Sequence, residues 1–292
     1  MKLTAYPPAR LMTKINLRTW LHESQIKLTG ASDFPAVETY AIASYVLSQT
    51  KEWLISHPID EPSSQLLEKM DSLVDRLQQG EPLPYLLGKQ SFYGLEFEVT
   101  PDVLIPRPET ELLVEEAINW LHLHPQRRCM VDVGTGSGII PVTLADHYTD
   151  LHAHAVDISS KAIDIANRNI QKFHLQERIR AYPNDLLAGI PETFDLITAN
   201  LPYIPTSRLQ TLAVSRFEPL EALDGGPDGF KWIRSLLVQA PKSLKPGGLI
   251  LLEIDDSHLE LATIETTNIL ASAKITVIND LADKPRLLRI QL

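Results

Sequence analysis

Val131-Asp132-Val133-Gly134-Thr135-Gly136-Ser137-Gly138 joins the end of an apolar run to a turn with glycine at every second position. Glycine lets the backbone turn tightly and come close to a ligand, where a Cβ would block the approach. The residues that follow predict a helix over 137–146, and its N-terminal end offers partial positive charge. Strand, glycine turn and helix in that order open a doubly wound α/β sheet with a small-molecule site at the strand's end. A dinucleotide would want Gly-x-Gly-x-x-Gly, whereas the spacing here is Gly-x-Gly-x-Gly.

Outward from this turn, helical and strand patterns alternate. A helix is expected over 109–122, ahead of a first strand over 129–133. Further strands are expected over 153–156, 178–182, 194–199 and 249–254, with a helix over 160–173. Segments 274–278 and 287–291 are close enough in the chain to pair as an antiparallel hairpin. The fold class is therefore α/β: a largely parallel, Rossmann-like sheet closed by a C-terminal antiparallel hairpin.

Upstream the period is helical. Leu17, Trp20 and Leu21 form one stripe, Val37, Ala41, Ala43, Val46 and Leu47 a second, and Leu66, Leu67, Met70, Leu73, Val74 and Leu77 a third. Pro35 suits a first helical turn after Asp33. This predicts a small helical bundle as an N-terminal domain over 1–85, with the sheet domain over 86–292. Residues 86–106 would link them, with a hairpin over 90–100 around Tyr93-Gly94.

The chain has 292 residues, 44% hydrophobic and 22% charged, ordinary values for a globular protein. A net charge of −10 gives no global footprint for nucleic acid. The single cysteine, Cys129, excludes a disulfide within the chain and is expected as a buried apolar filler. No apolar run reaches the roughly 18 residues of a membrane span, and no basic-then-apolar signal opens the sequence. A cytoplasmic monomer is the expectation, with no membrane and no direct nucleic-acid binding.

The strand ends carry the chemistry. Gly134, Thr135, Gly136, Ser137 and Gly138 form the turn; Asp157, ending the second strand, can accept both hydroxyls of a ribose. Asp185, with Leu186, follows the third strand and can accept from an adenine amino group. Ribose, adenine and a compact zwitterionic tail point to S-adenosyl-L-methionine. Asn200-Leu201-Pro202-Tyr203 closes the fourth strand, about 65 residues beyond the glycine turn. The amide of Asn200 and the carbonyl of Leu201 can both accept from one NH₂ group, and Tyr203 can lie flat against the planar group that carries it. Such a clamp holds an amine still while it is alkylated.

Other candidates weigh less. His122, His124, His147, His152 and His154 are irregularly spaced and lack a cysteine cluster, so no metal site is expected. Ser137 has no nucleophile-elbow context. Glu109 and Glu111 suit the charged first turn of a helix after Pro108.

Gly80-Glu81-Pro82-Leu83-Pro84-Tyr85 and Ile105-Pro106-Arg107-Pro108-Glu109-Thr110-Glu111, together with the glycine turn, Asp157, the clamp and Phe217-Glu218-Pro219-Leu220-Glu221-Ala222-Leu223, resemble the release factor glutamine methyltransferases (the PrmC/HemK family). The resemblance covers essentially the whole chain, and the Ile105 to Glu111 block is its most specific part. It implies methyl transfer from S-adenosyl-L-methionine to the side-chain amide nitrogen of the glutamine in the Gly-Gly-Gln motif of class I peptide chain release factors. The N-terminal helices would help hold that protein. One position departs: the family has Asn-Pro-Pro-Tyr, and Leu201 stands for the first proline. Asn-Leu-Pro-Tyr is typical of ribosomal RNA adenine dimethyltransferases, so a nucleic-acid amino-methyltransferase is the alternative. Leu201 keeps the carbonyl and, before Pro202, an extended backbone, so its side chain is expected to matter little.

Overall fold

The computed structural model describes residues 15–292. Residues 1–14, which the sequence reading placed in the N-terminal domain and searched for a signal, lie outside the described residues. The chain divides into two compact units, one ending at Leu87 and one beginning at Gly88.

The first unit is helical. Its helices are α1 Leu17–Leu28, α2 Pro35–Leu47, α3 Lys51–Ser56, α4 Ser64–Gln78 and the short α5 Leu83–Leu87. Three N-termini are capped by side chains: Asn16, Thr50 and Ser63 accept from Thr19 N, Trp53 N and Leu66 N. Leu17, Trp20, Leu21, Ile42, Val46, Leu54, Met70 and Val74 form its core. The second stripe is corrected. Val37 is 59% exposed, and the buried face of α2 runs through Thr39, Ile42, Ala43 and Val46. Phe34, not Asp33, precedes the helix, so Pro35 starts it by its fixed φ and without a side-chain cap.

The second unit opens with β1 Lys89–Phe92 and β2 Leu95–Glu98, an antiparallel pair joined by Tyr93 and Gly94, both at positive φ. Then come α6 Thr110–Leu123, β3 Cys129–Val133, α7 Ile139–His147, β4 His152–Asp157, α8 Ser160–Lys172, β5 Ile179–Pro183 and β6 Phe194–Ala199. A short α9 Thr206–Leu209 leads through 3-10 turns to α10 Lys231–Ser243, β7 Leu244–Glu253, α11 Leu259–Ile269, β8 Lys274–Asn279 and β9 Pro285–Gln291.

The last seven strands form one sheet in the order β5-β4-β3-β6-β7-β9-β8, parallel through β7 and antiparallel at β9 and β8. Strand residues alternate between two cores. Met130, Ala153, Ala155, Leu196, Leu249 and Leu251 pack with residues of α6, α7 and α8, whereas Val131, Val133, Val156, Ile197, Ile250 and Leu252 pack with residues of α10 and α11. The helix α10 was not anticipated, although Ile233, Leu236, Leu237 and Ala240 keep helical spacing. Nor was α11. The seventh strand begins at Leu244 rather than 249, because its irregular pairing at Phe194/Leu196 lets Pro246-Gly247-Gly248 stay within it. Cys129, at the start of β3, packs against the core but is half-buried rather than buried, its N–H donating to Asp195. No helix among the described residues is long and apolar enough to cross a membrane.

The crossover order reverses between β3 and β6: β4 and β5 lie to one side, β7 to the other. A ligand crevice in such a sheet opens beyond the carboxyl ends of the strands that flank this reversal. The glycine turn and the Asn200 to Tyr203 segment both follow those ends.

Candidate active site

Three positive φ angles shape the turn after β3: +72° at Gly134, +54° at Gly136 and +80° at Gly138. The N–H groups of Gly134 and Thr135 both donate to Val156 O, at 2.8 and 3.0 Å, lacing the turn to β4. A Cβ on Gly136 would meet nothing within 4 Å, so this glycine faces open space. Gly138 precedes α7 and supplies its left-handed entry.

Asp157 ends β4 beside the turn. One carboxylate oxygen accepts from Gly136 N and the other from Ser159 N, each at 2.9 Å. Burial pushes this carboxyl up, and these backbone donors oppose the shift. Each oxygen keeps a second lone pair for a ligand hydroxyl. After β5, Asp185 is exposed while Leu186 is buried at a φ of +49°. Asn184 holds that bend by donating from Nδ2 to the carbonyls of Leu186 and Ala188.

Asp132 lies near the end of β3, two residues before the glycine turn. It is fully buried; Thr198 donates to its Oδ1 at 2.7 Å, and its Oδ2 has no hydrogen-bond partner, nor has Thr135 Oγ1. Burial pushes the Asp132 carboxyl up to about 6, against the bond from the Thr198 hydroxyl. Buried polar atoms left open at a strand end invite a polar ligand. Glycine turn, strand-end carboxylate and open polar atoms together fit a nucleoside with a charged tail.

Across the reversal, Asn200 is half-buried and donates from Nδ2 to Thr110 Oγ1 at 3.0 Å. Among the described residues, neither Asn200 Oδ1 nor the Leu201 carbonyl accepts a hydrogen bond. The side chain of Leu201 is 4% exposed, and a Cβ on Gly134 would stand 2.8 Å from its Cδ2. It packs over the first glycine of the turn and joins the two halves of the site. Tyr203 is half-buried, its hydroxyl held well above the usual range by burial first and by the nearby Glu253.

Two segments support the clamp. Glu218, 6% exposed, accepts from Ile105 N at 3.2 Å and Arg107 Nη2 at 2.5 Å, which ties the Ile105 to Glu111 block to Phe217-Glu218-Pro219. Under Tyr203 runs Asp224-Gly225-Gly226-Pro227-Asp228-Gly229. Gly225 N donates to Ile204 O at 2.8 Å, and a Cβ on Gly225 would come within 2.7 Å of Tyr203 Cα. Three glycines in six residues were a visible signal that the sequence reading passed over.

Glu253 and Asn169 were missed for a different reason, since each is one polar residue in an apolar or mixed run. Glu111 is structural: its Oε1 accepts from Tyr93 N at 2.9 Å, fixing the β1–β2 turn. Ser137 is buried, with its carbonyl bonded to Asn169 Nδ2 at 2.9 Å. No group of three or more metal-ligating side chains occurs among the described residues. His124 and His154 are half-buried, engaged with Trp120 O and Tyr182 Oη.

Residues 109–218 match the family model described as "Methyltransferase small domain", and residues 19–88 match "PrmC N-terminal domain". A release factor glutamine methyltransferase of Moorella thermoacetica is 38% identical over 82% of this chain and 86% of its own length. The chain belongs to the release factor glutamine methyltransferase family. A member from Clostridium acetobutylicum, 33% identical, aligns over 89% of this chain and 91% of its own. One from Geobacter sulfurreducens is 39% identical over 72% and 77%. Among solved structures, a methyltransferase from Pyrococcus furiosus superimposes with a TM-score of 0.50 at 18% identity, over 69% of this chain and 90% of that one. The hMettl16 catalytic domain, crystallised with an RNA hairpin, gives 0.56 at 12% identity over 84% and 91%. At those identities the likeness is one of fold. Family membership favours the protein amide over the RNA adenine among the two readings of Asn-Leu-Pro-Tyr.

Proposed function

We propose that this site methylates the side-chain amide nitrogen of the glutamine in the Gly-Gly-Gln motif of class I peptide chain release factors, with S-adenosyl-L-methionine as donor. The observation that carries the reading is the pair of open acceptors, Asn200 Oδ1 and Leu201 C=O, on consecutive residues across the strand-order reversal from a glycine turn.

S-adenosyl-L-methionine supplies a methyl group on a positively charged sulfur. Gly134, Thr135, Gly136, Ser137 and Gly138 give it a backbone cradle, Asp157 accepts from ribose hydroxyls, and Asp185 with Leu186 borders the base. An amide nitrogen is a poor nucleophile because its lone pair is delocalised into the carbonyl. Asn200 and Leu201 accept from its two N–H groups and so fix the nitrogen in one place. The same two oxygens stabilise positive charge as it develops there. Pro202 holds Leu201 extended, and Tyr203 stacks on the amide plane and excludes water. With its hydroxyl proton held tightly, Tyr203 is a platform and not a base.

The N-terminal helical unit contributes to holding the release factor. The protein acts in the cytoplasm as a monomer and does not bind nucleic acid directly. The test is mass spectrometry of a release factor incubated with the protein and S-adenosyl-L-methionine, beside a parallel reaction on ribosomal RNA. One methyl group on the Gly-Gly-Gln glutamine supports the reading; methyl in adenine and none in protein overturns it.

A further inference from the structure

The register of β6 on β7 pairs Ala199 with Leu252, so Asn200 leaves the sheet beside Glu253. Glu253 is 2% exposed, and its Oε2 has no hydrogen-bond partner. An uncompensated buried carboxyl is costly to keep, and it needs a reason. Thr110, 1% exposed at the start of α6, lies beside both. Its hydroxyl accepts from Asn200 Nδ2 at 3.0 Å, and it and the Asn200 amide both favour the charged form of Glu253.

An ionised carboxylate only accepts hydrogen bonds, whereas a hydroxyl has one proton to give and lone pairs to receive. Beside ionised Glu253, the Thr110 proton is drawn to the carboxylate. The hydroxyl then faces Asn200 as an acceptor, so the amide must turn its NH₂ inward and its oxygen outward. With Glu253 protonated, or replaced by glutamine, the group can itself donate to the Thr110 oxygen, and the Thr110 proton is free to point at Asn200. The amide then turns over and presents NH₂ outward, where it repels the N–H groups of a substrate amide.

We infer that Glu253, acting through Thr110, is a positioning residue that fixes which end of the Asn200 amide faces the substrate. This rests on the clamp reading above. It adds a specific property: the outward oxygen of Asn200 depends on a charge that the substrate never touches. Burial pushes Glu253 up to about 7, with Arg286 on β9 opposing the rise and Glu109, next to α6, adding to it. Tyr203 faces the same carboxyl from beyond β6, with Asp255 and Arg107 around it. The orientation therefore weakens as pH falls through about 7, where Glu253 takes up its proton.

The test has two independent readouts on the full-length protein. The first is NMR of the Asn200 side-chain amide without substrate. Its proton shifts should titrate near neutral pH in the wild type and be flat in Glu253→Gln. The second is single-turnover methylation of a release factor. At pH 8, Glu253→Gln and Thr110→Val should each slow the reaction by a factor on the order of ten, the weight of one hydrogen bond. Cofactor affinity by calorimetry should change less than about twofold, since loss of one amide orientation leaves the cradle intact. The acid limb of the wild-type rate profile should vanish in Glu253→Gln, and Thr110→Ser should recover most of what Thr110→Val loses. The double variant should be no slower than either single, because both remove one device. An Asn200 signal that titrates unchanged in Glu253→Gln overturns the inference, as do single effects that multiply in the double variant. Failure of the wild type to methylate a release factor would instead sink the substrate reading, and the NMR titration would still decide the orientation of Asn200.

Discussion

Substituting Gly134 by alanine strains the site twice, and the two strains can be separated. At a φ of +72°, a residue with a Cβ pays a left-handed backbone penalty, about 1–2 kcal/mol. The new Cβ would also stand 2.8 Å from Leu201 Cδ2, closer than real Cβ contacts come. Overpacking of that kind costs about 1–3 kcal/mol, so Gly134→Ala should lose about 2–5 kcal/mol in all. Leu201→Ala should cost about 2–5 kcal/mol by itself, as buried leucines do. In that background the collision is gone and only the backbone penalty remains. A double-mutant cycle in equilibrium urea unfolding should therefore show a favourable coupling of about 1–3 kcal/mol. Additivity within about 0.5 kcal/mol would refute the packing of Leu201 on the turn. The cycle also bears on the family proline. Leu201→Pro keeps the open carbonyl but gives up the contact, so it should lower stability while turnover per folded molecule is largely retained.

Asp157→Ala should weaken S-adenosyl-L-methionine by about 1.5–3 kcal/mol in calorimetry, the range for charge-assisted hydrogen bonds; tight NAD binding instead would discard the cofactor assignment. Asn200→Ala should cut single-turnover methylation by roughly 10²–10³ and Tyr203→Ala by less, since the first removes a preorganised electrostatic partner and the second a stacking surface. Near-full rates for Asn200→Ala would discard the clamp. Glu253 has a folded pKa raised from 4.5 to about 7, so the folded state holds its proton more tightly and stability is lost as pH rises through that window. Glu253→Gln removes the penalty: its stability relative to wild type should climb between pH 5 and pH 8, by up to about 3 kcal/mol. A difference that is flat with pH would mean the carboxyl is not buried in solution.

The sheet could be read because its central strands β3 and β6 are buried on both faces and its turn needs glycines that no other residue replaces. Phe194 to Ala199 is apolar at every position except Asp195 and Thr198, and its strand bounds were legible directly. The helices α10 and α11 were not, since α10 contains Pro241 and α11 follows the break at Asp255-Asp256. The site divided in the same way. Residues that touch ligands by backbone or by a lone strand-end side chain carry local signals. Thr110, Asn169, Glu218 and Glu253 act across 32 to 113 positions of sequence or through sheet register, and periodicity carries no trace of such partners. The burial of Leu201 was not legible because it depends on a missing side chain at Gly134, which a pattern of residue types does not reveal.

Asn169 behaves like an extra peptide unit inserted from a helix. Its Oδ1 accepts from Glu98 N at 2.8 Å, and its Nδ2 donates to Glu98 O at 3.0 Å and to Ser137 O at 2.9 Å. One buried amide thus grips the edge of a hairpin and the glycine turn at once. Solvent reaches the Glu98 amide only when that grip is released, and releasing it also frees Ser137. Breathing of the β1–β2 ribbon and breathing of the cofactor loop are then one event. A ligand that quiets the loop should slow deuterium uptake at Glu98, a site it never contacts.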